Sequence, residues 1–389
     1  MLKRVDQLPV AGRRVFVRVD FNVPHDGPVI KDDTRIREAL PTIQYLMDQK
    51  AKIILASHLG RPKGRDMAES LMPVAERLAE LIGRPVILPE DCVGDAVKKL
   101  AHEIREGDVL LLENLRFHKE EEANDAVFAQ SLAQLGEIYV SDAFGTMHRA
   151  HASTVGMVKH FKEKGIGLLV KKELEYLTPL LERPARPYVA VLGGAKVSDK
   201  IGLLDHLVTK VDELLLGGGL AYTFLKAMGQ PIGKSKCEDD KVYLAQKILQ
   251  KAKENDVIVR VPVDHRVADK PSADAVAVVA AKVPEGKMGL DIGPQTAQLY
   301  ADVLRDAKTV FWNGPMGVFE YKQFAEGSLT VARAIAASDS VSIVGGGESL
   351  AAVKMSGVEE QITHLSTGGG AALEFLEGKG LPGLSVLES

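Results

Sequence analysis

Short runs of Val, Ile and Leu alternate with helix-period segments along the whole chain, and this alternation constrains the fold more than any other feature. In the first half the apolar runs lie at 15–19, 52–56, 85–88, 108–112 and 137–140. In the second half they lie at 188–192, 211–216, 257–261, 275–279, 308–312, 340–344 and 362–366. Segments with apolar residues at helical spacing fill most of the intervals. The pattern predicts an α/β protein with doubly wound parallel sheets, helices covering both faces.

The length of the chain and one Pro-rich segment predict two lobes. At 389 residues the chain exceeds the usual size of a single domain, about 100–200 residues. Residues 168–182 form an amphipathic helical pattern, and 183–187 read Arg-Pro-Ala-Arg-Pro, which suits a stiff connector. We therefore expect a first lobe at 1–167, a helical hinge at 168–187 and a second lobe at 188–367. By pattern alone the tail at 368–389 fits either lobe.

Charge and cysteine usage exclude some classes of partner. The net charge of −4 argues against nucleic acid or an anionic membrane as the main partner. Cys92 and Cys237 are far apart, in no metal-like spacing, and are typical of reduced structural thiols. The first residues carry no apolar signal core, and no run reaches the length that spans a bilayer. A soluble cytoplasmic protein is expected.

The segment Tyr188–Lys200 predicts a phosphate site. Its apolar run ends at Gly193-Gly194 and a helical pattern follows, so free backbone N–H groups should lie at a helix start. Lys196 and Lys200 share one helix face, where two cations oppose the helix dipole unless an anion binds. Two solvated surface lysines are the alternative.

Basic and polar residues follow the predicted strands of the first half. Ligands of open parallel sheets bind outside the carboxyl ends of the strands, so these residues should gather at one edge. Arg suits forked contacts to carboxylate and phosphate, which predicts a small, multiply anionic substrate. His148 and His151 are three residues apart rather than the four of zinc-binding helices, so a metal pair is disfavoured. The set comprises Asp20, Asn22, Arg35, His58, Arg61, Arg116 and Arg149, with Arg18 on the first strand.

Glycine-containing clusters follow the strands of the second half, at 193–194, 217–219, 313–315, 345–347 and 368–370. Glycine lets the backbone approach a ligand closely, so five clusters in one lobe predict a nucleotide site with several phosphate contacts. The turns lack Gly-x-Gly-x-x-Gly, which disfavours a dinucleotide. An anion site in one lobe and a nucleotide site in the other suit phosphoryl transfer between two bound substrates.

The chain resembles the phosphoglycerate kinases through motifs spread over nearly its whole length. They are Val-Phe-Val-Arg-Val-Asp-Phe-Asn-Val-Pro at 15–24, His58-Leu-Gly-Arg61, Glu113-Asn-Leu-Arg-Phe117, Asp142-Ala-Phe-Gly, His148-Arg-Ala-His151, Gly193-Gly-Ala-Lys-Val197, Trp312-Asn-Gly-Pro315, Phe319-Glu320 and Ser366-Thr-Gly-Gly-Gly370. The motifs follow the family's order, and their combination is specific.

The resemblance implies roles for individual residues. Those implied to bind 3-phosphoglycerate or 1,3-bisphosphoglycerate are Asp20, Phe21, Asn22, Arg35, His58, Leu59, Gly60, Arg61, Arg116 and Arg149. Those implied to bind ADP or ATP with Mg²⁺ are Gly194, Ala195, Lys196, Lys200, Gly217, Gly218, Gly219, Gly289, Leu290, Asn313, Pro315, Glu320, Gly345, Gly346, Gly347, Glu348 and Ser349. Those implied to act on the transferred phosphoryl group are Arg35, Lys196, Gly346 and Gly369.

The resemblance also implies a monomeric, hinge-bending kinase of glycolysis whose segment 368–389 returns to the first lobe. One position departs from the family: Glu348 stands where the family usually has Asp near the nucleotide's metal. The extra methylene puts direct contact with Mg²⁺ in question, because this ion requires a tight octahedral arrangement of oxygens. A kinase for another small molecule and a two-lobe anion-binding protein are the rival interpretations. The first would lack the Asp20, Asn22 and arginine set, and the second would not need the glycine turns and lysines.

Overall fold

A computed structural model describes residues 2–388 of the chain and divides it into two compact units. The first unit consists of Met1–Glu175 together with Gly380–Ser389, and the second of Tyr176–Lys379. The division falls inside a helix that spans Leu168–Glu182, as the amphipathic pattern predicts. Each unit has its own sheet and core. Within the described residues, no helix is long and apolar enough to cross a membrane.

A six-stranded parallel sheet forms the centre of the first unit. Its order is β5-β6-β4-β1-β7-β8 for strands β1 (Arg14–Val19), β4 (Lys52–Ala56), β5 (Val86–Ile87), β6 (Val109–Leu111), β7 (Ile138–Asp142) and β8 (Glu163–Ile166), with a small hairpin of β2 (His25–Asp26) and β3 (Val29–Ile30). The helices are α1 (Thr34–Asp48), α2 (Met72–Ile82), α3 (Asp95–Glu103), α4 (Lys119–Glu122), α5 (Ala126–Ala133) and α6 (Leu168–Glu182). Val17 is paired with Leu55 on one side and Val140 on the other, and β1 is buried from Val15 to Val19.

A second six-stranded parallel sheet forms the centre of the second unit. Its order is β11-β10-β9-β15-β16-β17 for strands β9 (Tyr188–Leu192), β10 (Glu213–Leu216), β11 (Ile258–Arg260), β15 (Thr309–Asn313), β16 (Val341–Gly345) and β17 (His364–Ser366). A separate antiparallel sheet contains β12 (His265–Ala268), β13 (Val278–Ala280) and β14 (Met288–Ile292). The helices are α7 (Ile201–Leu207), α8 (Gly218–Ala227), α9 (Val242–Glu254), α10 (Pro294–Asp306), α11 (Glu326–Ala336), α12 (Gly347–Ser356) and α13 (Gly369–Leu376).

The parallel α/β class predicted from the sequence is confirmed, and each predicted strand range overlaps a strand of the structure. The placement of 275–279 in a parallel sheet is wrong, because that range overlaps β13 of the antiparallel sheet. Apart from the two-residue strands β2 and β3, which were not predicted either, the strands absent from the prediction are β8, β12 and β14. Their sequences, Glu-Lys-Gly-Ile, His-Arg-Val-Ala and Met-Gly-Leu-Asp-Ile, contain no continuous run of Val, Ile or Leu.

The C-terminal segment is divided between the units. Helix α13 packs against α7 in the second unit. The chain rejoins the first unit at Gly380 and ends in a final helix, α14 (Pro382–Glu388). The Gly383 N–H donates to the Met147 carbonyl of that unit over 2.9 Å. The return therefore begins later than residue 368. The predicted lobe boundaries otherwise stay predictions.

Candidate functional site

The carboxyl end of β1 carries an ion pair between Asp20 and Arg35. Asp20 directly follows the strand, and Arg35 lies in the first turn of α1. Burial alone would raise the pKa of Asp20, but the positive charge of Arg35, with a smaller contribution from Arg18, lowers it below its usual value. Asp20 is therefore ionised at neutral pH and fixes the direction of the Arg35 side chain.

His58 is a neutral imidazole of defined tautomer. Burial holds its pKa well below the usual range, and neighbouring arginines reinforce the effect against the opposing charge of Asp20. The Nη2 atom of Arg18 lies 3.1 Å from Nδ1 of His58. A guanidinium group has no acceptor, so Nδ1 must accept this bond and the imidazole proton must reside on Nε2. His58 thus offers an N–H donor from its other side.

Asn114 anchors the loop that contains His58. Its Oδ1 accepts from the backbone N–H groups of Leu59 and Arg116, and its Nδ2 donates to the carbonyls of Leu59 and Glu69, over 2.8–3.1 Å. On the other side of the loop, Oδ1 of Asn22 accepts from the Gly60 N–H over 2.9 Å. Backbone atoms of the predicted binding segment 58–60 are therefore fixed on both sides.

Three further arginines lie around this loop. Arg116 is nearly buried, donates to the Gly60 carbonyl over 2.6 Å and pairs with Glu122 at 3.0 Å. Burial lowers the pKa of Arg116, and the positive charges of Arg149 and Arg61 add to the effect although Glu122 opposes it. The three arginines form a cluster of like charges. Such a cluster favours an anionic ligand.

A buried carboxylate, Glu121, is connected to Arg18 through the side chain of Ser153. Glu121 is fully buried and accepts from both the N–H and the hydroxyl of Ser153. The same hydroxyl accepts from Nε of Arg18 over 2.8 Å. The series Glu121, Ser153, Arg18 and His58 is thus continuous from the interior of the unit to the predicted site.

The structure therefore brings together the predicted basic and polar residues of the first half: Asp20, Asn22, Arg35, His58, Arg61, Arg116 and Arg149. Phe21 is fully buried beside them and its N–H donates to Ser57, so it contributes packing and backbone position. Sequence reasoning assigned no role to Asn114, Glu121 or Ser153. The Glu113-Asn-Leu-Arg motif was a signal for Asn114, whereas no signal marked the other two.

A cleft of about 290 Å³ lies in the second unit, where most of the predicted nucleotide residues converge. Residues that were predicted and line it are Gly194, Ala195, Gly218, Gly219, Gly289, Leu290, Pro315, Glu320 and Glu348. Residues that line it but were not predicted are Lys236, Pro271, Met288, Gly317 and Val318. Met288 and Leu290 belong to β14, so the antiparallel sheet missed from the sequence contributes one wall.

Close approach of neighbouring chain segments explains two glycines, Gly218 in the lining of the cleft and Gly346, which does not line it. Gly218, the first residue of α8, has a φ of +63°, and a Cβ there would lie 2.6 Å from the Gly194 carbonyl oxygen. Gly346, which precedes α12, has a φ of +91°, and a Cβ there would lie 2.7 Å from Nδ2 of Asn313. Any side chain at either position would separate these segments.

Lys200 and Asn313 form a polar network beside the cleft. Nζ of Lys200 donates to Oδ1 of Asn313, whose Nδ2 donates to the Gly345 carbonyl over 2.7 Å. Burial lowers the pKa of Lys200 to about 8, against the opposing charge of Glu348. The hydroxyl of Ser349 accepts from the Gly314 N–H. The network joins the ends of β15 and β16.

Several predicted residues do not line the cleft itself: Lys196, Lys200, Gly217, Asn313, Gly345, Gly346, Gly347 and Ser349. Lys196 is exposed, and Gly217 is the residue before α8. Gly369 begins α13 after β17 and has a φ of +52°. Their roles stay predictions.

Glu348 is suited to an oxygen-preferring cation. It lies in the first turn of α12, is exposed, and lines the cleft. Carboxylate oxygen is a ligand that Mg²⁺ accepts together with waters and substrate phosphates. The residues of the cleft therefore fit a nucleotide that carries Mg²⁺.

Comparisons with protein families and with curated proteins give one result. The family model described as phosphoglycerate kinase matches residues 5–379. Among curated proteins, the phosphoglycerate kinase of Anaeromyxobacter dehalogenans (strain 2CP-C) is 55% identical over 393 residues, covering 100% of this chain and 99% of that protein. That of Clostridium botulinum (strain Hall) is 52% identical over 390 residues, covering 99% and 98%.

Solved structures give the same result. Phosphoglycerate kinase from Coxiella burnetii has a TM-score of 0.90 at 42% identity, covering 100% of this chain and 99% of its own. The enzyme from Pyrococcus horikoshii OT3 has a TM-score of 0.88 at 33% identity, covering 100% and 98%. The family suggested by the sequence motifs is thereby confirmed: this chain belongs to the phosphoglycerate kinase family.

Proposed function

We propose that this protein transfers a phosphoryl group reversibly from 1,3-bisphosphoglycerate to MgADP, giving 3-phosphoglycerate and MgATP. Family membership supports a kinase of glycolysis. The proposed class is more specific, a phosphotransferase whose acceptor in the reverse direction is a carboxylate. The observation that carries it is the arginine cluster around the Asp20–Arg35 pair and the neutral His58, in a chain of net negative charge.

The first unit is proposed to hold the phosphoglycerate. Arg61, Arg116 and Arg149 would bind its phosphate or carboxylate, and the Nε2–H of His58 adds a neutral donor. The carboxylate of Asp20 and the side-chain amide of Asn22 would form hydrogen bonds with the substrate hydroxyl. The fixed backbone of the 58–60 loop keeps these groups in place before the substrate arrives, which lowers the cost of binding.

The second unit is proposed to hold the nucleotide, with its phosphates near the starts of α8 and α12 and near Lys200. Helix N-termini and unhindered glycine N–H groups favour anions there. The nucleotide's Mg²⁺, part of the substrate, would neutralise phosphate charge, with Glu348 as the nearby carboxylate.

The proposed transfer needs positioning and charge neutralisation more than proton transfer. The carboxylate acceptor is already ionised at neutral pH, so no general base is required. Arg35, Lys196 and the backbone N–H groups at Gly346 and Gly369 are the proposed groups that stabilise the phosphoryl group during transfer. A hinge between the lobes, a monomeric state and a cytoplasmic location are further parts of the proposal, carried over from the family. Small-angle scattering with and without both substrates tests the hinge and the oligomeric state.

Formation of ATP from 1,3-bisphosphoglycerate and MgADP is the direct test. A protein that binds both compounds without turnover would be a binding protein, and a protein that phosphorylates only another acceptor would be a different kinase. Lys196→Ala is expected to lower kcat far more than it weakens 3-phosphoglycerate binding, because Lys196 is assigned to the transferred group. Arg61→Ala is the matched cation deletion, and it should mainly weaken 3-phosphoglycerate binding in calorimetry. Equal effects of the two variants on binding and turnover would refute the assignments.

A further inference from the structure

We propose that Asp91, Cys92 and His118 form a binding site for one zinc ion, or a similar divalent transition metal, in the first unit. Asp91 and Cys92 lie in the loop after β5, and His118 directly precedes α4. None of the three belongs to the proposed phosphoglycerate or nucleotide residues, so the proposal does not depend on the proposed function. Within residues 2–388 it is the only group of three or more such side chains found close enough to hold a metal ion.

The three donor atoms are already gathered. A carboxylate oxygen of Asp91, Sγ of Cys92 and a ring nitrogen of His118 all lie within 4.8 Å of one another. Zinc bonds of about 2.0–2.3 Å in a tetrahedron place donor atoms roughly 3–4 Å apart. Nε2 of His118 is 2.6 Å from Oδ1 of Asp91. Binding therefore requires these two atoms to separate by about 1 Å, while the Cys92 thiol and the Nε2–H of His118 both lose their protons to solvent.

The cluster is partly exposed to solvent, and neighbouring groups contact its side chains. Cys92 is fully buried, whereas the side chains of Asp91 and His118 are 36% and 28% exposed, so a metal ion could enter from the side of these two residues. The Cys92 N–H donates to Oδ1 of Asp91 over 2.6 Å, and the His118 ring packs at 5.2 Å from that of Phe128. Supporting contacts of this kind orient ligands before the metal binds.

The surrounding charges favour a cation. The carboxyl groups of Glu120 and Glu121, in the helix that follows His118, are the acidic neighbours of this cluster, and Arg65 is the neighbouring cation. Asp, Cys and His together supply oxygen, sulfur and nitrogen, a mixed set that zinc accepts and Mg²⁺ does not. The competing interpretation is an Asp91–His118 ion pair beside a buried thiol that merely fills space.

Titration of the reduced, nucleotide-free full chain with Co²⁺ distinguishes the two interpretations. We expect one equivalent of Co²⁺ to produce a thiolate-to-cobalt charge-transfer band, which Zn²⁺ then removes by displacement. Cys237→Ser is the matched control, since it deletes the other cysteine, and it should leave the band unchanged. Cys92→Ser should abolish it. An absent band in the wild type, or a band that survives Cys92→Ser or is lost in Cys237→Ser, would overturn the proposal.

A second variant keeps the test decisive if Cys92→Ser does not fold. His118→Gln preserves a side-chain donor for Asp91 but removes the imidazole ligand. Circular dichroism should show an unchanged fold, and we expect Zn²⁺ affinity, measured by competition with a chromophoric chelator, to fall about tenfold or more. Unchanged Zn²⁺ affinity in a folded His118→Gln protein would equally overturn the site.

Discussion

Removal of the Asn114 side chain should destabilise the first unit and loosen the proposed substrate loop. Asn114 is fully buried and makes four hydrogen bonds to backbone groups of residues 59, 69 and 116. In Asn114→Ala these two N–H groups and two carbonyls lose their partner. An unsatisfied buried group costs about 1–3 kcal/mol, and water will reach some of the four, so we expect a loss of about 3–6 kcal/mol in the free energy of unfolding. This loss is a large part of the total free energy of unfolding of a typical domain.

Denaturant unfolding followed by two probes measures this loss. The single tryptophan, Trp312, is buried in the second unit, so its fluorescence reports that unit, while far-UV circular dichroism reports both. We expect the dichroism transition of Asn114→Ala to begin at lower denaturant than in the wild type, and 3-phosphoglycerate binding to weaken in calorimetry.

Asn255→Ala provides the matched control. Asn255 is exposed and its side chain makes one hydrogen bond, to the Lys251 carbonyl at 2.8 Å, so its removal should cost only about 0.5 kcal/mol. If Asn114→Ala costs no more than this control, the reasoning that the buried amide holds the 58–60 loop is refuted.

Three further outcomes follow from the two sites. Burial lowers the pKa of Lys200 to about 8, so its positive charge is lost as pH rises through that value. ADP affinity should therefore fall between about pH 7 and about pH 9 in the wild type but not in Lys200→Arg. Identical pH profiles of the two proteins would contradict this. Glu348→Asp should retain activity and shift mainly the Mg²⁺ concentration required, whereas an unchanged metal titration counts against a metal role. Ser153→Ala removes the hydroxyl that accepts from Arg18, so it should lower the free energy of unfolding in urea by about 1–3 kcal/mol and broaden the tautomer population of His58 in ¹⁵N NMR. Ser131→Ala, at a more exposed position, is the control, and equal effects of the two variants would refute the role of Ser153 in supporting Arg18.

The extent of sequence-based prediction differs between the two sites. Asp20 and Arg35 could be placed together from the sequence, because residues after parallel strands meet at the same edge of a sheet. Asn114 could not be assigned a role, because its partners lie up to 55 residues away and no local pattern records which amide will be buried against which loop. The same holds for Ser153 and Arg18, which are 135 residues apart. The wall that β14 contributes to the proposed nucleotide cleft was missed because that strand lacks a continuous apolar run.

The sequence alone determined the α/β class, the strands with apolar runs, the basic residues of one half and the glycine turns of the other. These features arise from local periodicity and from backbone freedom, which neighbouring residues carry. Only the tertiary structure decided which polar atoms become partners in the interior. Cys92 had no metal-like spacing in the sequence, yet folding brings His118 beside it from 26 residues away, because packing of loops on a common sheet depends on the whole core rather than on chain distance.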